Sequence, residues 1–295
     1  MTDVSSRPAR LNIGVVGAGR VGTVLAAALA RAGHHVTGVH AVSRQSTDRA
    51  DRLLPNAARR TPDEITTTSD LVLLTTPDDV LADVVAGLAQ QDAFQPGQLV
   101  VHTSGRHGLA VLDPATRLGV LPLALHPVMT FAGAPEDIDR LAGASFGVTA
   151  PEPLRAVAEA LVIEMGGEPV WVPEEARPVY HAALAWGANY LATITTSAAQ
   201  LLTGAGVDNP QRLLAPLLGA TLDNALRRGD TALTGPVARG DAETVRVHME
   251  ALREHAPELI PAYVALARLT AERALQSGLL KPALAEGLLE VLAAQ

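Results

Sequence analysis

No cysteine occurs in the 295 residues, which excludes a disulfide scaffold, thiolate metal sites and cysteine nucleophiles together. Lysine is nearly as scarce: Lys281 stands alone, so 22 of the 23 basic residues are arginine. With no lysine near a glycine-rich loop there is no G-K-[ST] phosphate loop. The nine histidines show no HxxxH or H-E-x-x-H spacing, so no metal site is expected. Aromatic residues make up 3% of the chain. A net charge of -8 argues against general attraction to nucleic acid or to an anionic membrane. What is present, 48% hydrophobic against 18% charged residues, describes a folded chain with a sizeable core. The length suits about two domains at ~100–200 residues each.

Residues 1–10 have no apolar segment of signal-peptide length; a disordered tail and a cytoplasmic protein are expected. The longest uncharged stretch, residues 178–207, carries His181, Asn189, Gln200 and a Thr193, Thr195, Thr196, Ser197 cluster. Those polar groups are costly in lipid, so the stretch is expected to be a helix buried by protein on nearly all sides.

Short β-rich apolar runs at 11–16, 35–42, 71–76, 99–103, 120–125, 145–149 and 169–172 alternate with helical segments at 23–32, 79–90 and 153–165. That alternation predicts an α/β domain with a Rossmann-like parallel sheet covered on both faces. From about residue 173 the strand-like runs stop. Helices are expected at 176–203, 210–228, 241–254, 256–277 and 282–293. The expected organisation is a dinucleotide-binding domain over 11–172 and an all-α substrate or dimerisation domain over 173–295, with the active site between them.

Gly17-Ala18-Gly19-Arg20-Val21-Gly22 matches G-x-G-x-x-G directly after a buried strand and at the start of a helix. Gly17 permits the tight turn, Gly19 lets a pyrophosphate approach the backbone, and Gly22 lets helix and strand pack closely. The helix N-terminus offers free N–H groups to the phosphates. About twenty residues on, an NAD site usually carries an acid for the ribose hydroxyls. Here the segment is His40-Ala41-Val42-Ser43-Arg44-Gln45-Ser46, with no acid before Asp48. Ser43 and Arg44 suit a 2′-phosphate, which arginine binds through paired charge-assisted bonds; NADP is expected over NAD. Thr76 and Pro77, and Ser104 with His102, follow strand ends where such sheets bind ligands. Loop capping is the competing reading for Ser104 and His102.

The segments GAGRVG, TTPDD, HTSG, LHPVMTF, YHAALAWGANYL and LTGPVARGD occur in that order. Together they resemble a family of Rossmann-like oxidoreductases with an uncharacterised C-terminal helical domain, related to ketopantoate reductase, pyrroline-5-carboxylate reductase and 6-phosphogluconate dehydrogenase. The resemblance implies NADPH-dependent reduction of a small 2-oxo acid, with ketopantoate a candidate, and, together with the small side chains of the helical part, a homodimer. One departure stands out. The ketopantoate reductases and dehydrogenases use a lysine on the first long helix of the second domain as proton donor. Here the nearest basic residue is Arg177, whose guanidinium does not give up its proton.

Histidine is the natural replacement. His181 opens the uncharged helix and is the expected donor; His126, at a strand end before Pro127, is the second candidate. Asn189, ~80° around the helix from His181, is suited to bond a carbonyl or carboxylate. Core hydrogen bonding for His181 and Asn189, and a turn-forming X-Pro role for His126, are the structural alternatives. Thr130 and Phe131 either border a nicotinamide pocket or pack. In LTGPVARGD, Gly235-Pro236 marks a turn and Asp241 an N-cap, while Thr234 and Arg239 are left over as candidates for binding a substrate carboxylate. Two other readings remain open: a cofactor-binding redox sensor or partner protein without turnover, and a reductase of an imine or a deazaflavin-linked substrate. No partner beyond a small molecule and a second copy of the chain is expected.

Overall fold

The computed structural model describes residues 10–293. Apart from Arg10, the tail expected over residues 1–10 lies outside the described residues. The chain forms two compact units, Met1–Gly187 and Ala188–Gln295.

In chain order the first unit contains β1 (Asn12–Val16), α1 (Arg20–Arg31), β2 (His35–His40), α2 (Arg44–Leu53), β3 (Ala58–Arg59), α3 (Pro62–Thr68), β4 (Leu71–Leu74), α4 (Leu81–Gln90), β5 (Leu99–His102), α5 (Asp113–Thr116), β6 (Leu121–Pro127), α6 (Glu136–Arg140), β7 (Ser145–Thr149), α7 (Arg155–Glu164) and β8 (Glu168–Trp171). It ends in the first turns of α8 (Arg177–Gly204), which continues into the second unit. There follow α9 (Pro210–Arg228), α10 (Gly235–Arg239), α11 (Ala242–His255), α12 (Ile260–Gln276) and α13 (Pro282–Ala293).

The eight strands form one sheet in the order β3-β2-β1-β4-β5-β6-β7-β8. Pairs from β3 to β6 are parallel, and β6 meets β7 antiparallel. The central strands are apolar at nearly every position, β4 (LVLL) at all four, because both faces are covered. Alternate residues supply separate cores: Ile13, Val15, Leu71, Leu73, Leu99 and Val101 pack on the α1 and α7 face, while Val16, Val72, Leu74 and Val100 pack on the α4 face. This is the period-two alternation of a pleated strand. Chain order reverses at β1 and β4, leaving a crevice beyond their carboxyl ends.

Several short elements lie outside those the sequence predicts, α2, α3 and β3 among them. In α2 only Ala50 is buried, α3 has seven residues and β3 two. Local caps start the two helices: the Ser43 hydroxyl accepts the Ser46 N–H at the start of α2, and Thr61 and Glu64 make a capping box on α3. The strand expected to stop at residue 125 runs on through His126 and Pro127, because β7 pairs His126 with Gly147 and Pro127 with Phe146. Phe131 packs into the core, and Thr130 is exposed.

The second unit has its core in α10 to α13, centred on Val245, Met249, Ala271, Leu288 and Leu292. Asp241 caps α11, accepting the Thr244 N–H at 3.0 Å. The expected near-complete burial of α8 is not found: of its 28 residues only Arg177 is buried. An uncharged sequence records tolerance of burial, and the core helices of this unit are other ones. No helix among the described residues is long and apolar enough to cross a membrane.

Asp137 fixes the loop between β6 and α6. Its fully buried carboxylate accepts the N–H groups of Ala132, Gly133 and Ala134. Asp137→Ala leaves these amides without their acceptor, and urea unfolding should show a loss of about 1–3 kcal/mol.

Candidate cofactor and proton-transfer site

The loop between β1 and α1 is shaped by the end of β4. Gly17 has φ +104°, and a Cβ there would lie 2.9 Å from the Thr75 backbone. A Cβ on Gly22 would lie 2.1 Å from Thr75 Oγ1 and 2.6 Å from the Gly17 carbonyl. That space is taken because the Thr75 hydroxyl donates to the Gly17 carbonyl at 2.6 Å. At Gly19 the only atom within reach of a Cβ is 3.8 Å away, so this glycine faces open space. Gly19 is also the N-cap of α1 and supplies no side-chain cap. The first N–H groups of α1, on Arg20, Val21 and Gly22, lie where a helix has no internal acceptors. Ala18 is buried between them and β2, its N–H donating to the His40 carbonyl.

Two buried polar atoms beside this loop have no hydrogen-bond partner: Thr76 Oγ1 and Arg49 Nε. Arg49 also donates from Nη1 to the Ala18 carbonyl at 3.1 Å. Burial, then the cations of Arg20 and Arg52, pull its pKa down from the usual guanidinium value. An anion next to this arginine group relieves that repulsion. Glycines that keep the backbone bare, an uncapped helix start and orphaned donors together fit a dinucleotide diphosphate. Ser43 and Arg44 stand at the start of α2. The Ser43 hydroxyl is engaged as the cap, whereas the Arg44 side chain is 95% exposed, with Asp48 3.9 Å away. Pro77 is exposed at the β4 exit.

Beyond β5 the loop is stapled by histidine. His102 Nε2 lies 2.9 Å from the Gly108 carbonyl, and Nδ1 accepts the Ser104 N–H at 3.2 Å. These partners require the neutral tautomer protonated on Nε2. The Ser104 hydroxyl accepts the His107 N–H. Glu174 accepts the N–H groups of Leu109 and Ala110, so this acidic residue secures the same loop.

At the carboxyl end of β6 three aromatic side chains meet. His126 Nδ1 and the Tyr180 hydroxyl are 2.8 Å apart. His181 meets His126 edge-on with ring centroids 5.9 Å apart. Gly105 makes room for both imidazoles: a Cβ there would lie 2.5 Å from His181 Cδ2 and 3.0 Å from His126 Nε2. All three side chains are partly exposed. The structure thus brings His126 and His181 together at one strand end and adds Tyr180. Below them Arg177, with 0% exposure, donates from Nε to Thr149 Oγ1 at 2.9 Å and from its two terminal nitrogens to the carbonyls of Ser104, Ala124 and Gly147 at 2.8, 3.0 and 2.9 Å. Tyr180 and Arg177 were not singled out for this role from sequence; an arginine on the opening turn of an uncharged helix was the available signal.

Asn189, Thr234 and Arg239 belong to the second unit. Asn189 is exposed on α8. Thr234 is the N-cap position of the five-residue α10 and makes no side-chain cap bond, and Arg239 is the last residue of that helix.

Burial, with the Arg177 cation adding to it, pushes His102 down to about 3 and His126 down to about 4. An unfolded histidine titrates near ~6.5. Between those values the unfolded chain binds more protons, so stability is full above pH ~6.5 and falls as the pH drops toward 4 and below. The melting temperature should decline from pH 7 to pH 4, and His102→Gln should flatten that slope whatever its effect at neutral pH.

Residues 1–127 match the profile of a Rossmann-like domain, and residues 144–270 match a domain of unknown function, DUF2520. No curated protein sequence matches the chain. Among solved structures, a candidate NADP oxidoreductase from Bacteroides fragilis is 22% identical with a TM-score of 0.76, the match covering 89% of this chain and 98% of that one. An imine reductase from Pseudomonas sp. is 22% identical with a TM-score of 0.66, covering 92% and 96%. A 1-pyrroline-5-carboxylate reductase from Streptococcus pyogenes is 16% identical with a TM-score of 0.59, covering 90% and 98%. At these identities the likeness is one of fold. The chain therefore joins a Rossmann-like domain to a DUF2520 domain, within the Rossmann-like fold to which its glycine loop and parallel sheet belong.

Proposed function

We propose that the chain is an NADP(H)-dependent oxidoreductase that reduces a small 2-oxo acid or oxidises the corresponding 2-hydroxy acid, with ketopantoate the first substrate to test. The observation that carries this reading is the placement of two kinds of chemistry on one sheet edge. The anion-binding loop follows β1, and the protic cluster of His126, Tyr180 and His181 gathers at the carboxyl end of β6. The order β1-β4-β5-β6 separates them by three strand spacings, ~14 Å at 4.7–4.9 Å each. The same order of length separates the diphosphate of a dinucleotide from its nicotinamide ring.

In this reading Gly17, Gly19 and Gly22, with the amides of Arg20 and Val21, hold the diphosphate, and Ala18, tied to β2 through the His40 carbonyl, backs the loop. Thr76 and Pro77 border the ribose, Ser104 closes the far side, and Ser43 and Arg44 receive the 2′-phosphate. When bound, the reduced nicotinamide supplies the hydride. The chain's own part is to exclude water, orient the acceptor and deliver a proton from the cluster at β6. Neighbours of the same fold bear imine-reductase and pyrroline-5-carboxylate-reductase names, so a C=N acceptor belongs in the same assay as the 2-oxo acids.

We also propose a homodimer. On α9, Leu213 and Leu217 are exposed one turn apart, as are Leu222 and Leu226, and α8 exposes Val179, Leu191 and Ile194. Apolar rows of this kind on long helices suit a second copy. Light scattering should give twice the chain mass, and Leu217→Glu combined with Leu226→Glu should return it to the monomer value.

NADPH oxidation followed at 340 nm against ketopantoate, pyruvate and 1-pyrroline-5-carboxylate tests the activity; oxidation with none of them, despite tight NADPH binding, favours a non-catalytic sensor. Arg44→Ala should weaken NADPH binding about 10- to 100-fold, the size of a charge-assisted contact, and leave NADH binding within about twofold. Equal loss for both nucleotides would remove the 2′-phosphate assignment.

A further inference from the structure

The cluster at the carboxyl end of β6 is wired more specifically than a pair of histidines. Tyr180 and Arg177 are three residues apart on the first turn of α8, so their side chains share one face. Arg177 is held from below by four neutral oxygens of β5's exit loop, β6 and β7, and no carboxylate is among its hydrogen-bond partners. A buried guanidinium in that setting is a fixed positive charge. The acidic groups whose charge would bear on it are Tyr180, once ionised, and Glu174, and Glu174 is already committed to the amides of Leu109 and Ala110. The phenol lies over the β6–β7 pair: a Cβ on Gly147 would be 2.3 Å from the Tyr180 hydroxyl, and Gly147 is the register partner of His126. Tyr180 is thus the group bonded to a second proton carrier, His126, while standing over a fixed cation.

We propose that Tyr180 gives the proton to the substrate's heteroatom, with His126 refilling it and Arg177 positioning both and stabilising the phenolate as it forms. This rests on the reductase reading above and deepens it. The step balances. As the substrate carbon accepts hydride from NADPH, the Tyr180 O–H bond breaks and a new O–H or N–H bond forms on the substrate. The proton on His126 Nδ1 moves to the phenolate oxygen while His126 Nε2 takes up the one solvent proton (from hydronium) that the reduction consumes, and proton exchange with solvent returns the ring to its Nδ1–H tautomer before the next turnover. His126 stays neutral before and after, as its burial requires. The arrangement supplies what the missing lysine leaves open: an acid that is not a cation, beside a cation that is not an acid. His181 packs against the relay histidine and shapes the site, without standing in the proton path.

The test uses the full-length chain with NADPH and the three acceptors named above. Tyr180→Phe should lower kcat about 100-fold, in the range of general acid catalysis, with KM and NADPH affinity within about twofold. His126→Gln should lower kcat about 10-fold or more and raise the solvent deuterium isotope effect, because refilling then limits turnover. His181→Ala should cost less than either, and Arg177→Lys should recover more of kcat than Arg177→Met. Nitrogen NMR of His126 adds a readout that needs no substrate: its Nδ1 signal should shift in Tyr180→Phe. Full turnover by a folded, NADPH-binding Tyr180→Phe protein would overturn the donor assignment alone. An unshifted His126 signal would overturn the relay. Absence of NADPH oxidation by wild type with every acceptor would overturn the reductase reading and the donor role with it.

Discussion

The approach of the β4 end to the first loop is the contact on which the candidate site depends. The Thr75 hydroxyl reaches across the crevice to the Gly17 carbonyl, and its backbone presses against Gly17 itself. That contact leaves no room for side chains at positions 17 and 22. It also turns the start of α1 outward with its first amides bare. A helix N-terminus presented this way is electropositive without carrying a titratable group. The three nearby arginines extend the same field, and the depressed Arg49 shows that the cations repel one another. The loop is therefore preorganised for an anion rather than for its own internal satisfaction.

A second fixed charge governs the other end of the crevice. Arg177 is the largest fully buried side chain, and it is satisfied entirely by backbone carbonyls and one hydroxyl. Its bonds join the exit of β5, the strands β6 and β7, and the first turn of α8. Burial together with this cation keeps His126 neutral. Burial raises the Tyr180 phenol, and the cation partly offsets that rise. The same residue thus sets geometry and electrostatics, which explains why an arginine can occupy a region where a lysine acid would be chemically simpler.

Much of the first unit was legible because its physics is local. Buried parallel strands advertise themselves as apolar runs, and the glycine spacing next to β1 has a direct steric meaning that the Thr75 contacts bear out. The α2 segment was hidden because RQSTDRADRL has no apolar stripe and starts from a serine cap. The true end of β6 was hidden because a proline normally argues against continuing a strand, and only the pairing with β7 carries the strand through it. The absence of charge along α8 does not foretell its exposure, because it says nothing about which neighbour, if any, covers a helix. His126 and His181 were legible as candidates from their positions after a strand and at a helix start. Their meeting with Tyr180 over Gly105 and Gly147 was not, since it depends on contacts between residues more than twenty positions apart.

The central claim is that the bare amides at the start of α1 hold the diphosphate of a nicotinamide dinucleotide. Isothermal titration of the purified chain with NADPH and NADH, beside Gly22→Ala, tests it most directly. The account predicts saturable binding of NADPH to the wild-type chain and its loss in a Gly22→Ala protein that remains folded by circular dichroism. No binding of either nucleotide to the wild-type chain, or undiminished binding to the variant, would contradict it.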